Sequence, residues 1–355
     1  MTTKAITTAR PGEQENAKKA QRVYRPTLFT RQILFLLAAL FCLTPWSSPP
    51  LALALGIFLA LTHENPFSHV GKHMAKWLLQ GCVIALGFGM NLAVVLEAGK
   101  NGLLFAAGSI VLTLGLGVVV GRLLHINPKT SALISSGTAI CGGSAVAAVG
   151  SVIGAVEGDI TVSMGTTFLL NAIALYVFPL VGHALNLSQT QFGTWAGVAI
   201  HDISSVVGAA SHYGPSALET ATAVKLSRAL WIVPVAFGAA FAFRAPRPRS
   251  VTGDNIGFDP TQTNNAAKGK LQIPWFIGLF LLASIARSFV PGVAAIAPTV
   301  SHLATLGLTL TLFLIGAGIS ANTLKAVGGK PLLQGLLLWL VISTGSLLVI
   351  VETVR

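Results

Sequence analysis

Charged residues are scarce in this chain of 355 residues, since Asp, Glu, Lys and Arg together make up 10% of it, against about 25% in soluble proteins. Apolar types account for 53%, and the mean hydropathy is +0.74. This composition excludes a disordered chain and an ordinary water-soluble enzyme. A bilayer-spanning helix needs about 20 mostly apolar residues, and such runs recur along the chain. The sequence therefore predicts an all-α polytopic membrane protein.

Cysteine clusters and nucleotide-binding motifs are also missing. Cys42, Cys82 and Cys141 are far apart and lie within apolar segments, so neither a disulfide framework nor a zinc site is indicated. No Walker A motif is present, so ATP is not expected to drive the protein directly. The net charge is +12, but the basic residues sit at the ends of apolar runs, which is typical of topology signals rather than of nucleic-acid binding. We expect no cofactor and no nucleic-acid partner.

Eleven apolar segments follow a polar tail over residues 1–26, which we interpret as cytoplasmic. They cover residues 27–45, 49–62, 77–96, 102–124, 131–155, 160–184, 192–210, 220–243, 272–289, 298–320 and 331–351. Residues 27–351 are thus expected to form one transmembrane domain, with a long cytoplasmic loop at 244–271 and a short C-terminal end at 352–355.

The distribution of basic residues predicts the orientation. With the N-terminus inside, 18 of the 23 Lys and Arg residues fall in the tail and the loops on the cytoplasmic side. Lys100, Lys225, Arg228, Arg287 and Arg355 are the others. By the positive-inside rule, and with an odd number of spans, the C-terminus is expected on the periplasmic side.

The chain resembles itself at two offsets. Residues 84–104 match residues 313–333 at an offset of 229, with Gly87 over Gly316 among five identities. These segments are an odd number of spans apart and would run in opposite directions, as in inverted-repeat transporters. Chance similarity of two glycine-containing helices is the alternative. GTAICGGSAVA at 137–147 also matches GVAIHDISSVV at 197–207, at an offset of 60 that does not fit a simple inversion.

The middle of the fifth segment is rich in glycine and small hydroxyl residues. Thr138, Cys141, Gly142, Gly143 and Ser144 lie there between apolar turns. A helix broken at this depth would aim backbone N–H groups at the bilayer midplane, where they attract anions. The alternative is a tight helix-packing face.

The seventh segment places Asp202 well inside an apolar run, next to His201. An unpaired charge there is costly, so this carboxylate is expected to carry a coupling proton or to lie near a coupling sodium ion. Ser204 and Ser205 are candidate ligands for the same ion. The alternative is a structural Asp–His or Asp–Arg pair. A Ser–His–Asp catalytic relay is not expected, because residues this close on one helix point to different faces.

Lys225 and Arg228 in the eighth segment are three residues apart and share one helical face. They could form a cationic pair for an anionic substrate or for Asp202. The alternative is that both snorkel to the outer headgroups. Asn171 in the sixth segment is expected to tie helices together, and Trp339 in the eleventh is expected to be a packing residue.

Three stretches that hold these residues resemble a known family. GTAICGGSA at 137–145, AIHDISSVVGAA at 199–210 and VKLSRALWIVPVAF at 224–237 are similar to signature blocks of the YeiH-like bacterial inner-membrane proteins, which carry the label of sulfate exporters. The resemblance extends over most of the chain from about residue 27 onward.

This resemblance implies an inverted-repeat fold similar to sodium/proton antiporters and bile-acid symporters, with discontinuous helices that cross in an elevator-like moving core. It also implies transport of a small anion, such as sulfate or another sulfur oxyanion or sulfonate. Carried over residue by residue, it assigns substrate contacts to the five small residues of segment 131–155, coupling to His201 and Asp202, and charge balance to Lys225 and Arg228. A homodimer is left open, and a channel or a non-transporting receptor or structural protein remains the alternative.

Overall fold

The computed structural model describes residues 28–44, 46–62, 67–90, 92–243, 275–319 and 327–354. Within these ranges all regular secondary structure is helical, in fourteen helices. They are α1 (Leu28–Phe41), α2 (Pro49–Thr62), α3 (Ser68–Gly87), α4 (Leu92–Leu123), α5 (Pro128–Ala139), α6 (Gly143–Val152), α7 (Glu157–Ala184), α8 (Gln189–Ala199), α9 (Ile203–Tyr213), α10 (Pro215–Ala229), α11 (Ile232–Ala242), α12 (Trp275–Phe289), α13 (Pro291–Ala317) and α14 (Gly329–Thr353).

Ten of the eleven predicted apolar segments coincide with one helix or with two consecutive ones. The exception is segment 77–96, which covers only the second half of α3 and extends past its end at Gly87 into the start of α4. Segments 131–155, 192–210 and 220–243 are the split ones, and they form α5–α6, α8–α9 and α10–α11. Five helical stretches in the described chain are long and apolar enough to cross a membrane. The all-α membrane fold is therefore confirmed, whereas the number eleven stays a prediction. The tail at 1–26 and the loop at 244–271 lie outside the described residues.

Besides an apolar core, the helices bury several polar and charged side chains and expose many large apolar ones. Large apolar side chains such as Leu36, Leu180 and Phe289 are exposed, while Lys225 and Arg228 are fully buried. In water, both the exposed apolar side chains and the buried charged side chains would be unfavourable. In a bilayer the exposed apolar side chains face lipid and the charges face the protein interior, as expected for a membrane-embedded functional site.

Two reciprocal contacts support the repeat at an offset of 229. A Cβ atom added to Gly87 of α3 would lie 2.5 Å from the carbonyl oxygen of Phe280 in α12. One added to Gly316 of α13 would lie 2.5 Å from the carbonyl oxygen of Leu53 in α2. Leu53 corresponds at this offset to Leu282, two residues from Phe280. This exchange of partners is what a two-fold relation between α2–α3 and α12–α13 produces.

Two glycines four residues apart bring α8 against α10. A Cβ on Gly193 would lie 2.7 Å from the carbonyl oxygen of Ala217, and one on Gly197 would lie 2.9 Å from that of Ala221. Small residues at this spacing let two backbones approach closely in a membrane. The approach places the next turns of α10, which hold Lys225 and Arg228, beside the ends of the split helices.

Candidate functional site

The fifth apolar segment breaks between α5 and α6, at Ile140–Gly142. Gly142 has φ +63° and ψ −126°, a conformation open to glycine and unfavourable for other residues. Its N–H donates to the Gly137 carbonyl at 2.8 Å, which closes the end of α5. No side chain in the described part of the chain caps the N-terminus of α6. The break predicted from the glycine-rich composition lies at this point.

The seventh segment also breaks. The resemblance implied discontinuous helices that cross, but the residues did not indicate which segment besides the fifth would be broken. The helix α8 ends at Ala199 and α9 starts at Ile203. The backbone N–H groups of His201 and Asp202 both donate to Oδ1 of Asn171 in α7, at 3.0 and 3.2 Å. A side-chain acceptor 30 residues away thus replaces the carbonyls that a continuous helix would offer.

Asp202 caps α9 with its own carboxylate. Its Oδ2 accepts from the Ser204 N–H at 3.0 Å and also from the Ser204 hydroxyl. Among the described residues no ion pair with His or Arg is formed, so the structural pair considered for this aspartate is not present.

The two breaks meet. A Cβ placed on Gly142 would lie 3.5 Å from the Cβ of His201 and 3.7 Å from the Asp202 nitrogen. Four helix ends therefore come together, with the N-termini of α6 and α9 and the C-termini of α5 and α8. We call this region, residues 138–145 and 199–205, the crossing.

The cationic pair of α10 binds the C-terminus of α5. Lys225 Nζ donates to the Ile140 carbonyl at 3.2 Å, and Arg228 Nη2 donates to the Ala139 carbonyl. Arg228 Nη1 also donates to the Ser109 hydroxyl in α4 at 2.8 Å. The exposed fractions of Lys225 and Arg228 are 1% and 0%, so the snorkelling alternative is wrong. Cations at a helix C-terminus offset the partial negative charge of its free carbonyls.

The N-terminus of α6 lies on the accessible side of the crossing. Ser144 is exposed, and Gly143 and Asp202 are half-buried. The Ser144 hydroxyl and the Ala145 N–H approach the Cys141 sulfur. Because the first N–H groups of a helix have no intrahelical acceptor, those of Gly143 and Ser144 are open to a ligand.

Two buried polar side chains at the crossing have no hydrogen-bond partner among the residues that the structure describes. They are the Thr138 hydroxyl and the His201 imidazole, both of whose ring nitrogens are unpaired. Exposure is 2% for Thr138 and 1% for His201. Buried polar groups left unpaired in a native structure call for an explanation such as a ligand or water.

Ser204 and Ser205 are both buried in the first turn of α9. Because the Ser204 hydroxyl donates to Asp202 while the His201 nitrogens are unpaired, the described residues hold no Ser–His–Asp relay. The premise that these residues share one helix is nevertheless wrong, because His201 and Asp202 precede α9. No cluster of three or more His, Cys, Asp or Glu side chains that could bind a metal occurs in the described ranges.

The sequence analysis expected Asn171 to join helices and Trp339 to pack, but it did not indicate that they act at the crossing, and it did not single out Ser109. Asn171 holds the second break, Ser109 holds Arg228, and Trp339 Nε1 donates to the Ala199 carbonyl at the end of α8, at 3.1 Å. The sequence match at an offset of 60 could have predicted the second break, because it aligns the broken fifth segment with the seventh. It superimposes the last residues of α5 and α8 and the first residues of α6 and α9.

Comparisons with a family model and with individual relatives point to the same family. A family model described as conserved hypothetical protein 698 matches residues 28–335. A UPF0324 membrane protein of Bacteroides thetaiotaomicron is 48% identical over 305 residues, which is 85% of this chain and 86% of the relative. UPF0324 membrane protein Bd1437 of Bdellovibrio bacteriovorus is 45% identical over 317 residues, 89% of this chain and 93% of the relative. No solved structure matches the chain.

Proposed function

The chain belongs to the UPF0324 family of membrane proteins, and from this premise we propose that it is a secondary-active transporter of a small anion. The supporting observation is the N-terminus of α6, which is uncapped and accessible, while the buried cations Lys225 and Arg228 lie on the other side of the same break. Helix N-termini at broken helices are common anion sites in transporters.

In this proposal the anion contacts the Gly143 and Ser144 N–H groups and the Thr138 hydroxyl, while Cys141 and Gly142 shape the turn. His201 donates a ring N–H to the anion. Lys225 and Arg228 balance its charge through the end of α5, and Asp202 binds the coupling proton or lies beside a coupling sodium ion. Ser204 and Ser205 support Asp202. No residue is assigned a catalytic role, and no cofactor is required.

The resemblance to YeiH-like proteins favours sulfate or another sulfur oxyanion or sulfonate as substrate. It also favours an elevator-like movement of the crossing in a bacterial inner membrane. The positive-inside distribution favours a cytoplasmic N-terminus and a periplasmic C-terminus.

Counterflow in proteoliposomes tests the proposal. Vesicles preloaded with sulfate, sulfite, thiosulfate or taurine are assayed for accumulation of labelled sulfate, with and without imposed proton and sodium gradients. Saturable, trans-stimulated uptake is expected of a carrier. Unsaturable flux would instead indicate a channel, and anion binding without flux a receptor. Folded protein that neither binds nor moves any of these anions would overturn the proposal.

A further inference from the structure

Among the described residues, the buried cations beside the crossing, Lys225 and Arg228, have only neutral hydrogen-bond acceptors. Lys225 contacts the Ile140 carbonyl, and Arg228 contacts the Ala139 carbonyl and the Ser109 hydroxyl. Among the described residues no carboxylate forms a salt bridge with either of them. With both side chains protonated, two positive charges lie deep in the protein, and within the described chain the partial negative charge at the end of α5 is what offsets them directly.

In the part of the chain that the structure describes, Asp202 is the acidic group whose charge interacts with Cys141 and Lys225. It lies near Cys141 and Lys225, and His201 lies near Lys225 and Arg228. A protonated His201 would be a third buried cation without a counter-charge, so we count it as neutral, together with the Cys141 thiol. The four helix ends, two positive and two negative, cancel to first order. The crossing then carries one net positive charge with Asp202 ionised and two with Asp202 protonated.

We infer that the crossing accepts one net negative charge, so that a monoanion binds alone and a dianion binds together with one proton on Asp202. Any other pairing leaves an uncompensated charge at membrane depth, which costs several kcal/mol. This inference rests on the proposed anion site and adds the charge of the substrate and the origin of proton coupling. Asp202 suits the role because it is half-buried, whereas Lys225 and Arg228 are closed off.

Calorimetric titration of the purified full-length chain tests the inference, with methanesulfonate as monoanion, sulfate as dianion and dimethyl sulfone as neutral analogue. Each titration is run in two buffers of different ionisation enthalpy, so that the number of protons taken up per ligand is measured. Methanesulfonate is expected to bind without proton uptake. Sulfate is expected to bind with uptake of one proton, and its Kd should rise about tenfold per pH unit where Asp202 is ionised. Dimethyl sulfone is expected not to bind.

The variant Asp202→Asn separates charge from structure, because an asparagine also caps a helix N-terminus well. In this variant sulfate is expected to bind without proton uptake and with no pH dependence, and methanesulfonate is expected to bind more weakly.

Lys225→Gln removes one positive charge and should abolish sulfate binding at neutral pH. The matched control is Lys129→Gln, since Lys129 Nζ also donates to a backbone carbonyl, that of Gly154 at 2.7 Å, but outside the crossing. Its anion binding should equal that of the unsubstituted chain.

Sulfate binding without proton uptake in the unsubstituted chain would overturn the inference while leaving an anion transporter in place. Persistent proton uptake in Asp202→Asn would overturn the assignment of the proton to Asp202. If neither anion binds to folded protein and counterflow is also absent, the anion site itself is wrong and the charge inference falls with it.

Discussion

The two broken helices of this protein are interrupted at equivalent positions but differ in what occupies their ends. At an offset of 60, the last residues of α5 and α8 coincide, as do the first residues of α6 and α9. The N-cap is Gly142 in one and Asp202 in the other. The side chain of Asp202 fills the N-terminus of α9 with a carboxylate, whereas Gly142 leaves the N-terminus of α6 open.

The C-termini differ as well. The end of α5 binds two cations, whereas the end of α8 binds the neutral indole of Trp339. Neutral side chains of α14 and α7 and the carboxylate of Asp202 thus satisfy the ends of the α8–α9 helix. The α5–α6 helix has cations on one side of its break and an open N-terminus on the other. In the proposed transporter, this difference assigns ligand binding to α5–α6 and its support to α8–α9.

The largest effect is expected from Arg228→Gln, which removes the charge from the end of α5. Two hydrogen bonds from a buried charged group are lost, so unfolding free energy should fall by about 3–5 kcal/mol, and anion counterflow should cease. Thermal unfolding and counterflow measure the two effects. The control Arg122→Gln changes an exposed arginine in the last turn of α4 and should change neither. Equal stability of the two variants would show that the α5 terminus does not depend on its cations.

Gly142→Ala is expected to have the second largest effect on stability and transport. The positive φ of Gly142 would strain an alanine by about 1–3 kcal/mol, and the shifted turn should abolish most of the counterflow. Gly154→Ala is the matched control, because Gly154 also has a positive φ, +60°, but has open space around it and lies beyond the other end of α6. That variant should lose stability and keep transport. Loss of transport in both variants would remove the special role of the α5–α6 break.

The comparison also shows how far the sequence could predict the site. Clustered glycines and small hydroxyl residues predicted the α5–α6 break, because such residues weaken a helix locally. The α8–α9 break has no glycine or proline at residues 199–203, and it depends on Asn171, a tertiary partner that local composition does not reveal. Lys225 and Arg228 were predicted as a pair on one face, but their acceptors are backbone carbonyls, which have no sequence signature.

Asn171→Ala should have an intermediate effect. It leaves the His201 and Asp202 N–H groups without their acceptor, at a cost of about 1–3 kcal/mol, and should shift Asp202 enough to weaken proton-coupled sulfate binding. Gln334→Ala is the comparison, since this buried amide also joins helices, by donating to Ser131 and Ser135 of α5. Gln334→Ala should lower the free energy of unfolding without changing proton-coupled sulfate binding. If both variants alter proton coupling equally, the effect is not specific to the second break.

The smallest effect is expected from Trp339→Phe, which removes one neutral hydrogen bond from the end of α8. The expected loss of stability is about 1 kcal/mol, because phenylalanine retains much of the packing. Trp195→Phe is a close match, since Trp195 is also buried and its Nε1 donates to the Ser343 carbonyl at 2.9 Å, within α14 and away from any break. Both variants should melt at similar temperatures, but only Trp339→Phe should change the pH dependence of sulfate binding, because only it frees a carbonyl beside His201 and Asp202. An unchanged pH dependence would mean that the end of α8 is structural and that the functional difference between the two broken helices lies in α5–α6 and in Asp202 alone.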